Sequence, residues 1–312
     1  MDAASTSLPG VPAGGFGSDR AGSIRYPAYA CGVLGLRPTI GRIPSFNQTT
    51  PDDPSLTTQI THTQGPLART VRDLRLGYVA MAVGDARDPW WMPVGVREGP
   101  PVRPCPVALC VENPGAEMDP AVASALRTAG SWLEDAGYRV EEAVPPRLEE
   151  IARLFFTLVR SEERSTTSSA IERLGDDQLR RARASTMAYA SELDYDGYIK
   201  AFGRRASILR EWQLFLDRHP LVVMPVSSLR PVPLDYDQQG DAAVARMLTS
   251  HHPMLAISML GLPGLAVTTG LVDGLPIGVQ LVASRFREDI CFAAAEVIEA
   301  RYPPLTPIDP KS

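Results

Sequence analysis

The sequence predicts an α/β protein on three observations. Apolar runs of strand length alternate with helical patterns, one stretch reads as a complete βαβ unit, and another reads as a tightly reversed strand pair. Apolar residues make up 44% of the 312 and charged residues 21%, an ordinary balance for a chain with a sizeable core in one large domain or two.

Taken in chain order, residues 1–16 are expected to be disordered or irregular, because Pro9 and Pro12 interrupt a helix and chain ends order poorly. Residues 17–46, GSDRAGSIRYPAYACGVLGLRPTIGRIPSF, are dense in small and fixed-geometry positions. A loop rich in Gly, Pro and Arg is expected from about Gly95 to Pro104. Val107 to Val111 reads as a strand, Pro120 to Ala136 as an amphipathic helix, and Arg139 to Val144 as the next strand. Asp119 before Pro120 is helix-start chemistry, with a capping carboxylate and proline at the first helical position. Helices follow over 145–215, their charged runs on solvated faces, and Leu221 to Met224 reads as a short buried strand ahead of a proline-rich stretch at 225–233. Leu265 to Thr269 and Ile277 to Val282 pair around Asp273-Gly274, and a helix from about Glu288 to Ala300 closes the domain.

Within 17–46, Ser23 is the candidate nucleophile. It follows Ala21 and Gly22, residues small enough to let a carbonyl approach the backbone, and Gly22 adopts positive φ at little steric cost. Acyl transfer by a hydroxyl needs donors where negative charge develops, and successive main-chain N–H groups in such a turn supply them.

The stretch resembles the signature of the amidase signature family of serine hydrolases. The match runs through Gly17, Ser18, Asp19, Ala21, Gly22, Ser23, Ile24 and Arg25, then Pro27, Ala28, Cys31 and Gly32, and on from Gly35 to Arg42 with few breaks. Gln64 to Thr70 (QGPLART) resembles a second element of the family, ahead of a helix rich in Ala, Leu and Met, and residues 261–283 resemble its C-terminal strand pair. The resemblance implies a mixed β-sheet core flanked by helices over 17–312 and hydrolysis of an amide C–N bond. It implies that Ser23 attacks the carbonyl while the N–H groups of Arg20, Ala21, Gly22 and Ser23 hold the oxyanion. Asp19, Arg25 and Arg42 are expected to be buried supports pinned by hydrogen bonds. No cofactor or metal is implied, and the expected partner is a small-molecule amide.

The family completes a triad with a bridging serine in a Gly-Gly-Ser-Ser-Gly-Gly stretch and a lysine base, both upstream of the nucleophile. Neither element occurs in the sequence, whose only lysines are Lys200 and Lys311. The expectation is therefore an N-terminally incomplete amidase whose activity is impaired, with a homo-oligomer or a partner supplying the missing segment. The alternative is a non-catalytic remnant or interaction subunit.

Other chemistries fit less well. A Ser–His–Asp triad needs a histidine near Ser23, yet His62, His219, His251 and His252 stand in loop-like contexts and no GxSxG elbow is present. His251-His252 lacks a further ligand at helical spacing, so a loop or pocket role is expected instead of a metal. Gly15-Phe16-Gly17 fails as a dinucleotide loop because Arg20 stands where the third glycine belongs. A net charge of −5 with dispersed basic residues argues against nucleic acid or an anionic membrane. Four scattered cysteines fit a reducing cytoplasm, Cys31 being expected as a buried small hydrophobe.

Overall fold

The strands, in chain order, are β1 (Gly14–Asp19), β2 (Leu34–Arg37), β3 (Thr63–Ala68), β4 (Pro106–Leu109), β5 (Arg139–Glu142), β6 (Leu221–Met224), β7 (Gly264–Val272) and β8 (Leu275–Ala283). They form one sheet in the order β1-β3-β2-β7-β8-β6-β4-β5 in a computed structural model that describes residues 14–46, 53–99, 101, 103–162 and 168–304. Strand β4 runs parallel to β5 and β6, and every other pairing is antiparallel, so the sheet is mixed as expected. The helices are α1 (Arg25–Cys31), α2 (Leu56–Thr61), α3 (Val71–Met81), α4 (Pro120–Asp135), α5 (Leu148–Glu162), α6 (Ser168–Leu174), α7 (Asp177–Ala188), α8 (Tyr195–Arg218), α9 (Asp241–Ser250), α10 (His252–Leu260) and α11 (Glu288–Arg301).

The period-2 geometry of a strand sorts the core into two layers. Leu221 and Val223 of β6 join one apolar cluster with residues of α3, α4 and α11, while Val222 and Met224 join a second with residues of α5, α8 and α10. Val107 and Leu109 of β4 face the first cluster and Ala108 the second. A strand with helices on both faces must be apolar throughout, which is why LVVM carries no polar residue.

Local chemistry sets the boundaries. The Asp119 carboxylate accepts from the Ala121 N–H at 2.8 Å, Pro120 opens α4, and Val122, Leu126, Ala129 and Leu133 form its buried stripe. Asp273 (φ 52°) and Gly274 (φ 78°) both take left-handed conformations, the two-residue reversal that matches the twist of β7 and β8. Helix α10 is buried all round, and it meets α5 on the second face.

Three expectations are corrected. The strand β1 begins at Gly14, inside the stretch expected to be irregular, because β3 supplies the partner that Gly-Gly-Phe lacks in its own propensity: Gly14, Gly15 and Phe16 pair with Ala68, Leu67 and Pro66. Residues 1–13 lie outside the described residues. The helical stretch from 145 runs on to Arg218. Cys31 is exposed, since Ala28 and Tyr29 take the inward face of α1.

Gly65 explains one position of the QGPLART element. A Cβ there would fall 2.1 Å from the carbonyl oxygen of Leu36 on the adjoining β2. Gly65→Ala should therefore force β2 and β3 apart, lowering stability by about 1–3 kcal/mol in urea unfolding. Loss of less than about 0.5 kcal/mol would mean that the two strands have slack at this point.

Candidate active site

Ser23 sits in the turn between β1 and α1, and the turn is built by Asp19. Its Oδ1 accepts from the Gly22 N–H at 2.9 Å and its Oδ2 from the Ile24 N–H at 3.4 Å, so one carboxylate closes the reversal by satisfying amides that have left the strand ladder. Gly22 takes φ 112°, and a Cβ on it would meet the Met254 Sδ at 2.0 Å. Both facts require glycine, one through the backbone and one through α10 packed against it.

Asp19 is itself held by two arginines. Arg25 grips it bidentately, Nε to Oδ2 at 2.9 Å and Nη2 to Oδ1 at 2.9 Å, and Arg37 Nη1 approaches Oδ1 at 3.2 Å. All three side chains are fully buried. Arg25 also donates to the Met254 carbonyl at 2.8 Å, to the Ser258 hydroxyl at 2.7 Å and to Gln280 Oε1. Arg37 reaches the carbonyls of Asp19 and Thr61. Burial pushes the Asp19 carboxyl up, but the charges of Arg25 and Arg37 outweigh it and hold the group well below the usual carboxylate range. For Arg37, burial lowers the pKa to about 10 against the opposing pull of Asp19.

The candidate residues divide. Ser23 is exposed, and among the described residues its hydroxyl has no hydrogen-bond partner; the same holds for the N–H groups of Arg20, Ala21 and Ser23. Gly22 departs from expectation, because its N–H is spent on Asp19 and belongs to the scaffold of the turn. The Arg20 guanidinium extends toward α5, 5.9 Å from the Phe155 ring centroid, with Nε buried and without an acceptor. Burial lowers its pKa, Glu162 works against that shift and Arg183 adds to it.

Asp19, Arg25 and Arg42 are buried supports, as expected. Arg42 pairs with Glu288 at 3.5 Å, and Glu288 also accepts from the Thr39 N–H at 2.9 Å and the Tyr78 hydroxyl at 3.2 Å. Arg37, Ser258 and Gln280 are supports that sequence reasoning passed over. The signal for Arg37 was a cation closing an otherwise apolar strand, LGLR, and for Gln280 a lone amide within apolar β8.

His251 and His252 lie on the side of α1 and α10 without completing a triad. The His251 ring packs 4.5 Å from that of Tyr26, three residues beyond Ser23, and His252 Nε2 lies 2.7 Å from the Tyr189 hydroxyl. Burial, joined by the charge of His252 at His251 and of Arg153 at His252, lowers both to about 4, so both are neutral at pH 7. Among the described residues, no group of three or more His, Cys, Asp or Glu could hold a metal ion, and no helix is long and apolar enough to cross a membrane.

Comparison with known proteins adds a family. A protein-family model described as Amidase matches residues 2–292. An indoleacetamide hydrolase of Bradyrhizobium diazoefficiens is 35% identical over 300 residues, covering 96% of this chain and 57% of the relative. A glutamyl-tRNA(Gln) amidotransferase component of Streptococcus pneumoniae is 28% identical over 313 residues, covering 91% of this chain and 62% of its own length. The chain thus spans less than two thirds of either relative. Among solved structures, the allophanate hydrolase of Kluyveromyces lactis superposes with a TM-score of 0.76 at 20% identity, covering 94% of this chain and 47% of that one, a likeness of fold.

The ion cluster predicts a stability effect with a pH signature. Asp19→Asn leaves two buried guanidinium groups without their carboxylate and should cost about 3–5 kcal/mol in urea unfolding at pH 7. Since the folded pKa of Asp19 lies below the unfolded one, its contribution is complete above the unfolded value of about 3.9 and is lost as pH falls toward the folded value. The gap between wild type and variant should accordingly narrow below about pH 4. A gap independent of pH would show that the carboxylate acts by shape alone.

Proposed function

The chain belongs to the amidase family, and from that premise we propose that it hydrolyses amide C–N bonds through an acyl-enzyme on Ser23. Ser23 Oγ adds to the carbonyl carbon, the N–H groups of Arg20, Ala21 and Ser23 donate to the developing oxyanion, the amine leaves with a proton, and water cleaves the ester. One observation carries this reading: an exposed serine hydroxyl beside three main-chain donors that no other group engages among the described residues, in a turn pinned by a buried carboxylate. The relative at 35% identity makes indoleacetamide the first substrate to test.

Proton transfer needs an acceptor for the Ser23 hydroxyl. His251 and His252, held near 4 by burial, are too weak for a base at neutral pH, and Lys200 lies on an exposed position of α8. The proposed base is the lysine, acting through a bridging serine, that the family resemblance implies, on another segment or a partner chain. The exposed placement of Lys200, the one lysine among the described residues, favours a second reading, in which the protein is an interaction subunit of an amidase-like assembly.

Labelling separates the two. A fluorophosphonate probe should label the wild type at Ser23 and leave Ser23→Ala unlabelled. Ammonia release from indoleacetamide should run roughly 10²–10⁴-fold faster once the base is supplied than without it. No labelling, whether alone or with candidate partner chains, would defeat the catalytic reading and leave the interaction role standing.

A further inference from the structure

A second arginine pair lies away from Ser23, and it has no carboxylate. Arg205 of α8 donates through Nε to the Met259 carbonyl at 2.7 Å, near the end of α10. Its Nη2 stands 3.8 Å from where a Cβ on Gly261 would lie, and Ile40 forms the other wall of that position. The Ile40 N–H in turn donates to the Gly261 carbonyl at 3.2 Å. Arg285 comes from the connection between β8 and α11. That connection is tied to the same segment by the Phe286 N–H, which donates to Thr39 Oγ1 at 2.8 Å. Three parts of the chain far apart in sequence thus bring Arg205 and the loop that carries Arg285 to the same Thr39-Ile40 segment.

The pair is electrostatically uncompensated. Neither arginine makes an ion pair among the described residues, and the Arg285 Nε is buried without an acceptor. Burial and the charge of Arg285 together lower the pKa of Arg205 to about 10, while burial lowers that of Arg285. The nearby carboxylate Glu288 is occupied by Arg42, Thr39 and Tyr78. The loop that presents Arg285 is also strained: Phe286, a bulky residue, sits at φ 62°, with Arg42 and Arg285 over its ring at 4.8 and 5.7 Å. Half-buried like charges and a left-handed aromatic residue each cost stability, and among the described residues no carboxylate offsets the charges.

We propose that Arg205 and Arg285 form an anion site for a phosphate group. Two guanidinium forks offer terminal N–H donors and two positive charges, whereas a simple carboxylate brings one charge and two oxygens. Phosphate, at about −1.5 to −2 with at least three acceptor oxygens, matches both charges and donors. The Arg205 Nε remains with Met259, and its outer nitrogens, with those of Arg285, face the ligand.

The test uses the full chain and inorganic phosphate. Thermal unfolding is followed as phosphate is titrated at constant ionic strength, with sodium chloride and sodium acetate as matched arms, and binding is read independently from ³¹P line broadening. Phosphate should raise the Tm by about 2–5 °C near saturation. Arg285→Met should abolish that rise and the line broadening, yet unfold at the same or a higher temperature than wild type in phosphate-free buffer. Arg285→Lys, which keeps the charge but loses the fork, should weaken binding about tenfold and covers the case in which the methionine variant folds poorly. Coincident phosphate curves for wild type and both variants would overturn the proposal. So would an equal rise with chloride or acetate.

Discussion

The buried contact between Asp19 and its two arginines is the constraint on which the site depends. It joins the end of β1, the first turn of α1, the end of β2, helix α10 and strand β8 through one carboxylate and two guanidinium groups. Buried ion pairs are poor evidence of net stabilisation, because desolvation consumes much of the Coulomb gain. Their directional hydrogen bonds fix orientation, however. Asp19 has its oxygens shared between arginines and amides, so the turn carrying Ser23 cannot rotate without leaving a buried charge unpaired.

Legibility in the sequence followed the range of the interactions. The unit β4-α4-β5 was readable because Asp119 and Pro120 announce their helix within two residues, and the β7-β8 hairpin because Asp273-Gly274 can only reverse the chain. Strand β1 was not, since glycines carry no strand preference and β3 must provide it. The role of Arg37 was equally hidden, because its partners at Asp19, Thr61 and Ser258 meet it only in the folded sheet. The motif made Ser23 and its neighbours visible as a group. It could not show that Gly22's N–H would turn inward to Asp19, because the direction of an amide is a property of φ and ψ.

Electrostatics around the turn keep the neighbouring imidazoles neutral. Two histidines are close in the fold, and both are held uncharged by burial instead of poised near neutrality. Arg20, the residue after Asp19, directs its charge toward Phe155 while its N–H stays free. Main chain and side chain of one residue therefore differ in surroundings: among the described residues the amide is unengaged, while the guanidinium faces α5.

Comparing the molecule's two arginine clusters, one buried and one half-buried, separates positioning from binding. Around Asp19, two guanidinium groups share a carboxylate and reach carbonyls on four elements, and the Ser258 hydroxyl is absorbed into the same network. Arg205 and Arg285 are half-buried, and one carbonyl is the only acceptor between them among the described residues. A fold able to neutralise Arg25, Arg37 and Arg42 with Asp19 and Glu288 has the means to neutralise two more. Leaving Arg285 without an acceptor, in a loop strained at Phe286, is what a site looks like when its counter-charge arrives from solution.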